Sequence, residues 1–180
     1  NLDQLDRATD LATQALQSVL GVRWHLVQLR HCLVCILDVY LAAPQIARWS
    51  VEIDAALARL HSLARRFPQA VPDDLLFHAR HDWRAGRPQR AARGLRHCIT
   101  SAHQLGLPCE RAAAQYWLGL LAQTSEGAPF VPEGAALHLQ AARRTFEQHK
   151  CQGMVDRIDR LLPGAPPPAG LRFWEDASQR

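Results

Sequence analysis

Three residues within five positions have the types and spacing of a chemical site. His31, Cys32 and Cys35 lie in one apolar stretch. Positions three and four apart on a helix share a face, so these side chains have the spacing of metal ligands. A fourth ligand would have to come from another helix, and the second cysteine pair typical of zinc sites is missing. Cysteines in apolar helices usually act as small hydrophobic residues, so we predict that Cys32 and Cys35 are buried and that the chain holds no metal or cofactor.

Catalysis would need a nucleophile, a base and an orienting group, and the sequence offers no such set. His78 and His81 lie three positions apart, but the His-Glu-x-x-His pattern of metalloproteases is missing around them. No serine or cysteine lies in a recognisable nucleophile elbow. We therefore predict no catalytic residues. An enzyme with a site at His31, Cys32 and Cys35 is the least favoured alternative.

The densest run of charge is a series of arginines near the middle of the chain. Its partner-binding candidates are Arg80, Arg84, Arg87, Arg93, Arg96 and His97. Helical spacing groups the first three on one face and the last three on another, which predicts a continuous positive patch. Guanidinium groups bind carboxylates and phosphates through two hydrogen bonds, so an acidic protein or peptide is the expected partner. Nucleic acid is disfavoured because no recognition-helix motif is apparent and aromatic residues are not interleaved as stacking platforms. The alternative is a solvated charged surface, which is what most charge runs are.

Length and composition favour one helical domain. The chain has 180 residues and is rich in alanine and leucine, which are strong helix formers. Its five cysteines are an odd number without a disulfide framework, which predicts reduced thiols and a cytoplasmic location. Arg30 and Asp38 interrupt the longest apolar segment, so no membrane span is predicted. The first residue is Asn1 and the only methionine is Met154, which predicts that the chain is cut from a longer protein.

Apolar residues at helical spacing predict about eight helices in residues 1–162. The second is apolar on every side, which predicts a central helix covered by neighbours. Glycine and proline separate the helices, and Asp73 and Asp74 fall in the first turn of the fourth, where the helix dipole favours them. The predicted helices fall within residues 3–20, 24–41, 46–67, 72–85, 88–105, 109–124, 133–150 and 154–162.

The fourth and fifth helices and the sixth and seventh share a pattern of small and large residues. A small residue lies midway along the first helix of each pair, and the second helix has a small residue early and a leucine four positions later. The two sets are Ala79 with Ala91 and Leu95, and Gly119 with Ala135 and Leu139. A further small residue follows, Cys98 in one pair and Ala142 in the other. Such a pattern lets two antiparallel helices approach closely at Ala79 and at Gly119.

This pattern resembles the tetratricopeptide repeat, whose usual period is about 34 residues. The longer spacing here, 40 residues from Ala79 to Gly119, is similar to that of C-terminal repeat regions in large bacterial multidomain signalling proteins, such as ATPase-containing regulators and cyclases. The run from Gln104 to Leu121 is similar to the segment that joins their successive repeats. The resemblance covers residues 72–162 and implies stacked antiparallel hairpins in a short α-solenoid. It also implies a regulatory scaffold whose partner is a protein, a peptide or another domain of the parent chain. A small-ligand sensor with a groove between repeats is the alternative.

Residues 163–180 form a proline-rich tail that differs from the rest of the chain. The segment 163–170 reads Pro-Gly-Ala-Pro-Pro-Pro-Ala-Gly, which favours extended polyproline-like backbone. Leu171, Phe173 and Trp174 follow it and could act as an apolar hook. We predict that the hook packs on the outer face of the final helix pair. Alternatively it inserts into a second copy, which would make the chain a homo-oligomer.

Overall fold

The computed structural model describes residues 2–21, 26–43 and 46–162. Within these ranges the chain is helical and contains no β-strand, which confirms the all-α prediction. The α-helices are α1 Leu2–Gly21, α2 Leu26–Ala42, α3 Ser50–Ala64, α4 Val71–Arg84, α5 Pro88–Gln104, α6 Pro108–Gln123, α7 Ala135–Gln148 and α8 Gln152–Asp159. Short 3₁₀ turns cover Ile46–Trp49, Pro68–Ala70 and Ala128–Phe130. No helix in the ranges above combines the length and the apolar character needed to cross a bilayer.

The helices form two compact units, one up to Phe77 and one from His78 onward. In unit 1, α2 packs against both α1 and α3. The predicted stripe on α1 is buried at Ala12, Leu16 and Val19. Tyr40 is buried, and its hydroxyl lies 2.9 Å from the hydroxyl of Thr13 on α1, so the buried phenol keeps a hydrogen bond.

One side of α2 is exposed, and the prediction of a helix covered all round was wrong. Val27, His31, Cys35 and Asp38 lie along that exposed side. These positions are three or four apart and so define one stripe of the helix. Because α1 and α3 cover the other sides, apolar composition alone did not show which side of α2 would stay uncovered.

Buried acids mark the start of α4 in unit 1. Asp73 and Asp74 lie in its first turn, as predicted, and are 5% and 8% exposed. The Nε of Arg30 on α2 donates to Asp73, and the Nδ1 of His61 on α3 lies 2.9 Å from Asp74. Carboxylates at a helix N-terminus are also favoured by the helix dipole. A guanidinium from α2 and an imidazole from α3 thus meet the acids of α4.

In unit 2, α6 packs against both α5 and α7, and α8 packs against α7. The turns after α4, α5 and α7 share one geometry, in which a residue with positive φ follows the helix. Gly106 has φ 66° after α5, and the next amide, that of Leu107, donates to Ala102 over 2.9 Å. Lys150 has φ 57° after α7, and the amide of Cys151 donates to Phe146 over 2.8 Å. These bonds are the 6→1 type of the Schellman motif, which glycine suits and lysine tolerates at a cost.

The predicted close approach at Gly119 is present. A Cβ built on Gly119 would lie 2.7 Å from the Cγ of Leu139 and 3.3 Å from the carbonyl oxygen of Ala135. These are the two α7 residues that the sequence pattern assigns to the crossing. Ala79, Ala91 and Leu95, the matching residues of the preceding pair, are each buried.

Candidate functional site

The cysteines of α2 are more accessible than predicted. Cys32 is half-buried and Cys35 is exposed, so the prediction of two buried thiols was wrong for Cys35. The Nδ1 of His31 lies 2.8 Å from the carbonyl oxygen of Val27, one turn earlier on the same helix. Across the described part of the chain, no group of three or more histidine, cysteine or acidic residues could hold a metal ion. The structure therefore does not bring a fourth ligand to His31, Cys32 and Cys35.

The arginine run divides into residues with different partners. An Nη of Arg87 lies 2.8 Å from Asp82, and the Nε of Arg90 lies 3.5 Å from the same carboxylate. Arg96 donates to the carbonyl oxygen of Phe130 over 2.9 Å and pairs with Glu133 at 3.0 Å. Ion pairs thus partly neutralise this part of the run.

The six predicted partner-binding residues do not form one continuous basic surface. Arg84, Arg93 and His97 are exposed, and Arg87 and Arg96 are in ion pairs. The sixth residue, Arg80, is only 5% exposed. Helical spacing placed Arg80 with its neighbours but could not show that α6 would cover it.

Arg80 is buried because it lies over a tryptophan of α6. Its guanidinium carbon is 4.1 Å from the ring centroid of Trp117. At this distance the negative face of the indole ring attracts the cation. Arg80 therefore connects the arginine run to an aromatic cluster.

The aromatic cluster consists of three rings from α4 and α6. Trp83 and Trp117 meet edge to face with centroids 6.1 Å apart, and Tyr116 meets Trp117 at 5.5 Å in the same manner. Tyr116 is buried, whereas both tryptophans are half-buried. The exposed parts of the indoles thus remain available to a further molecule.

Helix α8 and the residue that follows it, Arg160, add two arginines near Tyr116, and both charges act on the pKa of its phenol. Met154, Leu161 and Leu162, like Trp117, pack against the hydrophobic cluster that contains Tyr116. Arg157 lies three positions after Met154, so the two share a side of α8. We define the arginine–tryptophan face as Arg80, Trp83, Tyr116, Trp117, Arg157 and Arg160.

The charges of this face act on Tyr116 but do not ionise it. Burial raises the pKa of the Tyr116 phenol, and the positive charges of Arg157, Arg80 and Arg160 oppose that rise in part. The phenol is therefore neutral at neutral pH, while the guanidinium groups are always charged. The face offers fixed positive charge and aromatic surface, which suits binding rather than proton transfer.

The nearby acids of α8 do not neutralise Arg157 or Arg160. Asp159 accepts hydrogen bonds from Arg143 of α7 at 2.5 and 3.2 Å, and this interaction lowers the pKa of the Asp159 carboxyl. Asp156 accepts from Gln152 over 2.7 Å. Among the residues that the structure describes, no carboxylate forms an ion pair with Arg157 or Arg160. No described acid therefore offsets their charge.

Only part of this face could be predicted from the sequence. Arg80 was a candidate, but Trp83, Tyr116, Trp117, Arg157 and Arg160 were not. Trp83 lies within the arginine run, so a search for aromatic residues at helical spacing from the arginines could have found it. The predicted hook, Leu171, Phe173 and Trp174, lies outside the described residues.

Comparison with known proteins gave no relative for this chain. No protein-family model, no curated protein and no solved structure matches it. The resemblance to tetratricopeptide repeats stays a prediction from the sequence pattern.

Proposed function

We propose that this chain is a non-catalytic interaction module that binds an acidic segment of a protein or peptide on the arginine–tryptophan face. The observation that carries the proposal is the stacking of Arg80 on Trp117, with the half-buried indole of Trp83 beside them. Tryptophan, tyrosine and arginine are the residues most enriched at binding hot spots. Arg157 and Arg160 add positive charge that no described carboxylate neutralises, which favours an acidic partner.

A tetratricopeptide-like solenoid would explain why the residues of this face come from every second helix. In stacked hairpins, α4, α6 and α8 would be the first helices of successive pairs. Five of the six residues of the face come from these three helices, and Arg160 directly follows α8. First helices of stacked pairs lie side by side, so they form a continuous surface for an extended peptide. The close crossing of Gly119 with Leu139 and the repeated turn geometry support the same arrangement.

A peptide array tests this function. The full chain is applied to immobilised random peptides, and the bound sequences are compared with those bound by Arg157→Glu/Arg160→Glu. We expect the wild-type chain to select peptides that combine acidic and aromatic residues. The double variant should bind them at least about tenfold more weakly, since reversed charges repel carboxylates.

A matched control changes two other arginines in the same way. Arg93 on α5 and Arg144 on α7 are exposed and lie outside the face, so Arg93→Glu/Arg144→Glu has the same net charge as the test variant. Equal losses in both variants would show a non-specific charge effect and contradict the proposed face. Binding of single-stranded oligonucleotides in preference to the selected peptides would also overturn the proposal, because arginine and tryptophan can stack on bases.

A further inference from the structure

The C-terminal tail contains a segment whose chemistry complements the arginine–tryptophan face. Phe173 and Trp174 are followed directly by Glu175 and Asp176. Two aromatic rings next to two carboxylates match a surface where half-buried indoles lie beside the guanidinium groups of Arg157 and Arg160. These four residues lie outside the described ranges, so the argument rests on their sequence and on the structure of the face.

The described chain ends beside α6, the helix that carries Tyr116 and Trp117. Leu161 and Leu162, like Trp117, pack against the hydrophobic cluster that contains Tyr116. The Nε2 of Gln123, the last residue of α6, donates to the carbonyl oxygen of Leu161 over 3.0 Å, which fixes the end of this segment to α6. The described chain therefore ends on a helix that contributes two residues to the arginine–tryptophan face.

The length of the tail allows it to return to the face. Arg157 lies only five residues before Leu162, so the tail has to span a short distance to reach it. Ten residues, 163–172, separate Leu162 from Phe173, and at the polyproline rise they can span about 30 Å. Gly164 and Gly170 lie at either end of the proline-rich stretch and permit changes of direction there.

We propose that residues 173–176 bind the arginine–tryptophan face of their own chain. Glu175 and Asp176 accept hydrogen bonds from Arg157 and Arg160, and the rings of Phe173 and Trp174 pack on the exposed indoles. This inference rests on the proposed function and adds its regulation, because an external acidic segment must displace the tail. At an effective concentration of about 1 mM, a tail that binds with a Kd of about 0.1 mM would weaken an external ligand about tenfold.

A synthetic peptide of residues 170–180 tests the occupancy of the face. The labelled peptide is titrated into the full chain and into the full chain carrying Glu175→Arg/Asp176→Arg. We expect it to bind the double variant about tenfold more tightly, because the altered tail no longer competes. Adding Arg157→Glu/Arg160→Glu to the double variant should abolish binding, whereas adding Arg93→Glu/Arg144→Glu should leave it unchanged.

A charge reversal checks that the contact is direct. A peptide in which Glu175 and Asp176 are replaced by arginine should bind the Arg157→Glu/Arg160→Glu chain and not the wild-type chain. Such a rescue excludes loss of folding as the reason why the face variant does not bind the natural peptide.

Three outcomes would overturn the inference. Equal affinity of the natural peptide for the wild-type chain and for Glu175→Arg/Asp176→Arg would show that the tail does not occupy the face. Failure of the charge reversal would show that the carboxylates do not meet Arg157 and Arg160. A concentration-dependent dimer in sedimentation, abolished by Glu175→Arg/Asp176→Arg, would assign the tail to a second copy. In each case the proposed function survives if the array peptides still bind at the face. It fails only if these peptides bind the face of neither the wild-type chain nor the Glu175→Arg/Asp176→Arg chain.

Discussion

The two units bury charged and polar groups in different ways. Unit 1 buries the carboxylates of Asp73 and Asp74 and places the guanidinium of Arg30 and the imidazole of His61 against them. Among the residues described for unit 2 no carboxylate is buried, and the buried basic groups are Arg80 and His138. Charge in unit 1 is therefore balanced inside the fold, whereas unit 2 keeps positive charge at a surface where an acidic partner could bind.

The sequence signals for packing also differ between the units. Unit 1 has contacts between residues far apart in sequence, such as Thr13 with Tyr40 and Arg30 with Asp73. Unit 2 also has such contacts, for example Arg96 with Phe130, but in addition it has glycine turns and the small residue Gly119 at a close crossing. A contact between distant residues has no local sequence signature, while turns and small residues do. The following variants test this contrast, from the largest expected effect to the smallest.

Asp73→Ala should destabilise the chain most. It removes a buried carboxylate and leaves the guanidinium of Arg30, whose side chain is 16% exposed, without that partner. Breaking a buried ion pair in this way costs about 3–5 kcal/mol. Urea unfolding of the full chain measures the loss. Asp54→Ala, an exposed acid on α3, is the control and should change stability by less than about 0.5 kcal/mol. Equal effects of the two variants would show that unit 1 does not depend on this pair.

Gly119→Leu tests the close crossing in unit 2. Its first side-chain atom would already lie 2.7 Å from Leu139, so the helices must separate or Leu139 must move. We expect a loss of about 1–3 kcal/mol in the free energy of unfolding. Gly153→Leu on α8 is the control, because no heavy atom lies within 4 Å of a Cβ at that position. An unchanged melting temperature for Gly119→Leu would remove the structural basis of the repeat resemblance.

The same contrast explains how much could be predicted from the sequence. In unit 2 the crossing at Gly119 and the turn at Gly106 each have a local signal, and the structure contains both. The bounds of α6 were also close to prediction. In unit 1 apolar composition predicted a fully covered α2, and Cys35 is exposed instead. Which side of a uniformly apolar helix stays open depends on where its neighbours pack, and that information is not local.

The candidate site was predictable only where it coincides with the arginine run. Spacing found Arg80 but gave it a surface position, because the sequence does not show that Trp117 of α6 covers it. Arg157 and Arg160 were missed for the same reason, since the sequence does not show that Met154 packs α8 against the cluster that contains Tyr116. Charge runs along one helix are visible in a sequence, whereas charges gathered from separate helices require the fold.

Removing the glycine from one turn and introducing a glycine at an equivalent turn should change stability in opposite directions. Gly106 and Lys150 both have positive φ after a helix. Gly106→Ala should lose about 1 kcal/mol, since a Cβ is strained in this conformation even where space is open. Lys150→Gly should gain about 0.5–1 kcal/mol by removing the same strain. Thermal unfolding of both variants measures this, and a destabilising Lys150→Gly would contradict the equivalence of the two turns.

The smallest effect concerns the buried histidine of unit 2. Burial lowers the pKa of His138, and the nearby carboxylate of Glu133, 3.8 Å from its Nε2, opposes the shift only in part, while Arg96 adds to it. The folded chain therefore binds a proton at His138 less readily than the unfolded chain, whose histidine pKa is about 6.5. Stability from this group is present above that pH and is lost as the pH falls below it.

His138→Gln removes this titration. Between pH 7.5 and pH 5 the wild-type chain should therefore lose more unfolding free energy than the variant. Unfolding curves at several pH values check this against His97→Gln, an exposed histidine on α5. A wild-type advantage that stays constant or grows as the pH falls would mean that Glu133 outweighs burial, and unit 2 would then hold an internal ion pair as unit 1 does.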